Sequence, residues 1–266
     1  MLARVLAALF LGPPFIYVLW YGGWPLAILF SAISGIAAWE LVKMEQHEGV
    51  GPRYLLTIPW AAAFPLVFHW KGLEGGALLL SVLIPLVVLP AAKRGETEGE
   101  GRAAAFTILA VVMCGFLLGF TVLLRESFKD GQGLILVLVG LVWAQDTGAY
   151  FIGTAIGKHK LTKLSPKKSW EGTIAGLIVG VAVAYGMAQL CGVGTQPIHF
   201  FIVALLLAGI AGQLGDLFES LIKRDAGVKD SGHLIPGHGG LLDRFDSMCS
   251  AAPVLYFLLK VLPLSK

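Results

Sequence analysis

Charge is what this sequence is short of. Only 14% of its 266 residues are Asp, Glu, Lys or Arg, against about 25% in an ordinary soluble domain. Twenty basic and 17 acidic side chains cannot form a polar shell around a chain that is 56% hydrophobic. They are also bunched, which leaves long stretches with almost none. A water-soluble enzyme and a disordered tail are thereby excluded. Cysteine is scarce too: Cys114, Cys191 and Cys249 each lie in or beside an apolar run, and none forms a CxxC pair. That leaves no disulfide or zinc framework. A net charge of +3 is too mild to argue for nucleic acid as a partner. There is no tandem repeat and no long linker. The first apolar stretch carries Arg4 and is interrupted by Pro13 and Pro14, and no clean small-residue cleavage site follows it. A retained first span is therefore expected, not a removed signal peptide.

What the sequence has in abundance is apolar runs on the scale of a bilayer, about 20 residues each. Nine are present, near 4–20, 24–42, 54–70, 77–92, 103–124, 133–153, 172–191, 199–223 and 248–263. Proline at 59, 65 and 85 breaks some of them, so eight to ten spans is the expected range. The expectation is an all-α, polytopic integral membrane protein of about nine transmembrane helices, in contact with the lipid bilayer throughout. One membrane domain covers 1–266, with N-terminal spans in 1–142, the polar motifs in 143–246 and the last span in 247–266. With the N-terminus in the cytoplasm, fifteen of the 20 basic residues fall on that side. Lys71, Arg125, Lys129, Lys260 and Lys266 fall outside. This asymmetry is the one that cytoplasmic loops show, and it puts the C-terminus outward.

Polar residues inside such spans cost energy, roughly 2.5–3.5 kcal/mol for an acid at a helix centre, and so mark function. Asp146 lies in the sixth span; Asp216 and Glu219 lie in the eighth. Asp216, Glu219, Ser220 and Lys223 recur at i, i+3, i+4 and i+7 and share one helix face. Acids at comparable depth below the cytoplasmic surface suggest a cation site in a water-filled pocket. Glu40, at the end of the second span, reads as interfacial. The loop Gly157–Gly172 carries five lysines, and its Ser165-Pro166-Lys167-Lys168-Ser169 run precedes a helix start. Lysine ammonium groups and helix N-termini both suit phosphate. Between the last two spans, Lys223 to Asp246 combines Lys223-Arg224, Lys229-Asp230, His238-Gly239-Gly240 and Asp243-Arg244-Phe245-Asp246. The glycines allow close approach of backbone N–H groups to an anion. Asp243 and Asp246 are hard oxygen donors of the kind magnesium takes beside substrate phosphates. The Gly172, Gly176, Gly180 series puts small residues on one helix face, as close helix packing requires.

Taken together, Ser220-x-x-Lys223-Arg224-x4-Lys229-Asp230 and Pro236-x-His238-Gly239-Gly240-x-x-Asp243-Arg244-x-Asp246 resemble the signature of the phosphatidate cytidylyltransferases, also called CDP-diacylglycerol synthases. The resemblance extends upstream to Asp146-Thr147-x-Ala149-Tyr150 and Ser165-Pro166-x-Lys168-Ser169-x-Glu171-Gly172, covering about 143–246. It implies that CTP and phosphatidic acid are the substrates and that CDP-diacylglycerol and pyrophosphate are the products. It further implies Mg2+, with K+ beside it, and a homodimer. The Gly172 face suits either that interface or packing within one protomer. On this reading Asp216 and Asp243 are the main metal ligands, with Asp146 and Asp246 as further ligands or their supports. Lys168, Lys223 and Arg244 join Asp216 and Asp243 as catalytic groups. Ser165, Lys167, Ser220, Arg224, Lys229, His238, Gly239 and Gly240 are assigned to substrate binding. The reading requires carboxylates from separate helices to converge beneath the inner face of a bacterial cytoplasmic membrane. A CTP-dependent kinase acting on a polyprenol or similar lipid alcohol is the nearest alternative, and a cation-coupled transporter is a second. Ser231-Gly232-His233 tempts a lipid-phosphatase reading, but no second Arg and His motif accompanies it.

Overall fold

Inside a bilayer no water is available to bond backbone N–H and C=O groups, so each span must satisfy its own, which helices do. A computed structural model describes residues 2–45, 54–94, 98–195, 197–232 and 239–261. It is all-α: among the described residues the only β pairing is an isolated bridge between Lys160 and Ser169. The helices are α1 (Leu2–Tyr21), α2 (Gly23–Glu45), α3 (Tyr54–Arg94), α4 (Glu100–Ala110), a π-helical stretch (Val111–Leu117), α5 (Leu118–Glu126), α6 (Gly131–Ile156), α7 (Trp170–Leu190), α8 (Ile198–Asp225) and α9 (Leu242–Val261). Among the described residues six helices are long and apolar enough to cross a membrane: Gly23–Met44, Leu55–Leu89, Glu100–Glu126, Gly131–Ile156, Trp170–Leu190 and Ile198–Asp225. This is a polytopic integral membrane protein.

Helix α3, Tyr54–Arg94, contains two of the expected spans, 54–70 and 77–92. The chain reverses between them. Trp60 Nε1 donates to the carbonyl of Leu79 at 3.3 Å across 19 residues, which a straight helix would hold about 28 Å apart. The break is at Gly72, with φ 61° and ψ −157°, a region that glycine alone occupies without strain. The first expected span falls within α1 and the ninth overlaps α9 up to Val261, but neither helix is among the six long and apolar enough to cross a membrane.

The described residues cluster into two compact units. The first lies within Met1–Leu123 and Lys223–Phe245. Its core joins Leu26, Phe30, Ala37 and Leu41 of α2 with Phe64 and Phe68 of α3 and Phe120 of α5, all fully or almost fully buried. The rings stack edge to face, with Phe64–Phe116 and Phe68–Phe120 centroids both 5.5 Å apart.

The second unit lies within Leu124–Ile222 and Asp246–Lys266. Here α7 packs on α6 through its glycine series. A Cβ on Gly172 would lie 2.7 Å from the Ala149 carbonyl, one on Gly176 2.6 Å from that of Gln145, and one on Gly180 2.8 Å from that of Leu141. The small-residue face is therefore used within the protomer. Gln145 Nε2 donates to the Gly209 carbonyl at 3.0 Å and ties α6 to α8. A Cβ on Gly215 would lie 2.9 Å from the Asp246 carbonyl, so α8 and α9 touch backbone to backbone where their acids lie.

Candidate active site

That close approach has a chemical consequence in the second unit. Asp216 and Glu219, one turn apart on α8, meet Asp246 of α9 with carboxylate oxygens all within 4.8 Å of one another. Glu219 and Asp246 are buried and Asp216 is half-buried. Asp146, on α6, acts electrostatically on Asp246, as does Asp216. Carboxylates so close repel one another, and in a span their desolvation adds to the cost. One cation already answers that charge: the Lys168 ammonium meets Asp216 Oδ2 as an ion pair, with side chains 29% and 24% exposed. Ser220 Oγ lies 3.5 Å from Asp216 Oδ1. Three hard oxygen donors beside a bound ammonium fit the ligand preference of a divalent cation such as magnesium.

Lys168 is held in place by its loop. Leu161 N donates to the Lys168 carbonyl (3.0 Å) and Trp170 N to that of His159 (2.9 Å), forming a short hairpin. Its tip is a turn closed by Lys168 N to the Ser165 carbonyl at 3.0 Å, with Pro166 at the position that favours it. Ser169 then caps α7 by accepting from Gly172 N at 3.2 Å. Glu171 fastens the base, 2.6 Å from His159 Nδ1. Ser165 is half-buried in the turn and Lys167 is exposed.

The first unit holds the other group. Lys223 Nζ donates to Asp243 Oδ1 at 2.6 Å, with side chains only 11% and 10% exposed. Asp243 Oδ2 accepts from Gly240 N (2.8 Å) and Ser231 N (3.1 Å). Gly239, at φ +79°, turns the chain into this arrangement. Val228 N closes the end of α8 on the Lys223 carbonyl at 2.8 Å. Arg224 Nη1 donates to the Val228 carbonyl at 3.2 Å. Arg224, Lys229 and Arg244 are exposed. His238 lies outside the described residues.

The model of the cytidylyltransferase family matches residues 2–262. The chain belongs to the cytidylyltransferase family. Relatives of this family member include the phosphatidate cytidylyltransferase of Bacillus subtilis, 33% identical over 263 residues and 96% of each chain. That of Haemophilus influenzae is 34% identical over 289 residues, covering 98% of this chain and 96% of its own. That of Staphylococcus aureus is 36% identical over 262 residues, covering 97% and 99%.

Within this cytidylyltransferase the expected acids divide between two settings. Asp216 and Asp246 meet each other, with Asp146 in electrostatic range. Among the described residues Asp243 is not part of that trio; it pairs with Lys223. Glu219, one of the acids in a span that suggest a cation site, takes a place in the trio that the family resemblance leaves unassigned; its i+3 spacing from Asp216 is the signal for it. Glu40 is the larger surprise. It reads as interfacial but is fully buried, and its hydrogen-bond partners lie about 200 residues further along the chain.

Proposed function

We propose that this family member transfers the cytidylyl group of CTP to phosphatidic acid, giving CDP-diacylglycerol and pyrophosphate. The observation that carries the reading is the acidic trio with its bound lysine, in a chain alike over nearly its whole length to proteins named for this reaction. A phosphate oxygen of phosphatidic acid attacks the α-phosphorus of CTP, and the bond from that phosphorus to the β-phosphate oxygen breaks. The nucleophile is already anionic near neutral pH, so no general base is required. Two polyanions must be brought together, which makes neutralisation and alignment the protein's main task.

Two lysine–aspartate pairs, Lys168–Asp216 and Lys223–Asp243, are suited to that task. In each, a cation waits beside a carboxylate until a phosphate offers it a better partner. Asp216, Glu219 and Asp246 would hold Mg2+, supported by Asp146, with K+ as a second cation; Lys223, paired with Asp243 in the first unit, is assigned to a substrate phosphate. Bound there, the metal would supply neutralisation of the charge that spreads over the transferring phosphoryl group. The amides of Gly239 and Gly240, with Arg224, Lys229, His238 and Arg244, are assigned to the nucleotide phosphates. Ser165, Lys167 and Ser220 are assigned to the remaining substrate contacts. The fifteen-to-five division of basic residues supports a site facing the cytoplasm of a bacterial inner membrane, with the N-terminus inside. A homodimer is part of the proposal, formed without the α7 glycine face, which α6 already covers.

The test is to incubate the purified protein with labelled CTP and either phosphatidic acid or a polyprenol. Magnesium-dependent formation of labelled CDP-diacylglycerol with pyrophosphate is expected. Release of CDP with a phosphorylated alcohol would instead identify a lipid kinase, and cation flux without pyrophosphate a transporter.

A further inference from the structure

An acid without exposure needs a reason to be buried, and Glu40 of α2 has 0% exposure. Its Oε1 accepts from Leu241 N at 2.9 Å and its Oε2 from Leu242 N at 2.8 Å. Oε2 also accepts from Ser231 Oγ at 3.2 Å. Helix α9 begins at Leu242, and the first N–H groups of a helix have no acceptor within it. A carboxylate there satisfies them and complements the positive end of the helix dipole. Capping groups ordinarily come from the residues just before the helix. Here the cap is supplied by another helix, across 201 and 202 residues.

The same carboxylate reaches the other side of the loop. Ser231 gives its hydroxyl to Glu40 and its N–H to Asp243, while Gly240 gives its N–H to Asp243. Glu40 and Asp243 thus grip the same two pieces of chain. Space for Glu40 comes from Gly232 and Gly240, where an added Cβ would lie 2.6 Å from Oε1 and 2.6 Å from Oε2 respectively. Being buried, Glu40 cannot meet substrate itself.

We propose that Glu40 is a positioning residue: it clasps Ser231 to the start of α9 and so sets the Asp243–Lys223 pair, which the Gly240 and Ser231 amides brace, for the nucleotide phosphates. The kinetic part of this inference rests on the proposed reaction; the clasp itself does not. The test uses the full-length protein in detergent with Glu40→Gln, Ser231→Ala and the double variant. Glu40→Gln keeps the shape but turns an N–H2 toward N–H donors, so it loses at least one charge-assisted hydrogen bond. Hydrogen exchange in peptides covering 239–245 is expected to quicken about tenfold, with α6 and α7 unchanged. The KM for CTP is expected to rise about tenfold while that for phosphatidic acid stays within about twofold. Ser231→Ala should move both readouts the same way by less, and the double variant should be no worse than Glu40→Gln. Unchanged exchange, or equal shifts in both KM values accompanied by a lower melting temperature, would overturn the proposal. If Glu40→Gln does not fold, Ser231→Ala decides: a KM for CTP raised about threefold supports the clasp, and an unchanged one refutes it. Absence of CDP-diacylglycerol synthesis by the unmutated protein would count against the proposed reaction alone, since the exchange measurement still judges the clasp.

Discussion

Asp216 and Asp243 carry the same chemistry in different surroundings, and their substitutions should therefore fail differently. Asp216 is half-buried among acids and holds Lys168. Asp216→Asn keeps its size, relieves repulsion and removes a ligand charge. Turnover should fall by roughly 10²–10³-fold, the usual loss for one electrostatic group at a reacting centre, with no drop in melting temperature. Near-normal turnover would remove Asp216 from the cation site. Asp243 is locked by Lys223 and two amides. Asp243→Asn removes the counter-charge 2.6 Å from a nearly buried ammonium, a defect on the order of 3 kcal/mol. Both activity and melting temperature should drop. Adding Lys223→Met should recover melting temperature without recovering activity; a double variant no more stable than Asp243→Asn would show that the ion pair is not what Asp243 contributes to folding.

The helices set those side chains in place through close contact more than through bulk. The α6–α7 pair meets along glycines, and α8 reaches α9 at Gly215. Without a hydrophobic drive between helices inside lipid, such contact is the main source of association. Gly176→Leu puts a branched side chain where even a Cβ would lie 2.6 Å from the Gln145 carbonyl, next to Asp146. Overpacking of this kind costs about 1–3 kcal/mol, and the melting temperature should fall accordingly. A fully stable Gly176→Leu would mean the two helices are not packed as described. The hairpin 157–170 works by a different device, a proline turn and a Glu171 buckle, which together fix Lys168 where it meets Asp216.

Across the molecule as a whole, the uneven spread of lysine and arginine predicts orientation. With the native cysteines replaced, a cysteine at Lys160 should react with a membrane-impermeant maleimide only from the cytoplasmic side. One at Lys71 should react only from the outside. Labelling of both from one side would invert or break the proposed topology.

Periodicity, scarcity of charge and the placement of lysines are local properties, so the helical class, the extents of the apolar segments and the reversal near residue 72 are legible in the chain. So is the identity of the polar residues, because an acid in a span is costly wherever the span goes. Partnership is different. That Glu219 joins Asp216 and Asp246, that Asp243 answers to Lys223, and that Glu40 caps a helix about 200 residues away all depend on which backbones come close. A hydrogen bond acts over about 3 Å, and nothing in a one-dimensional pattern records which distant groups the folded chain brings within that reach.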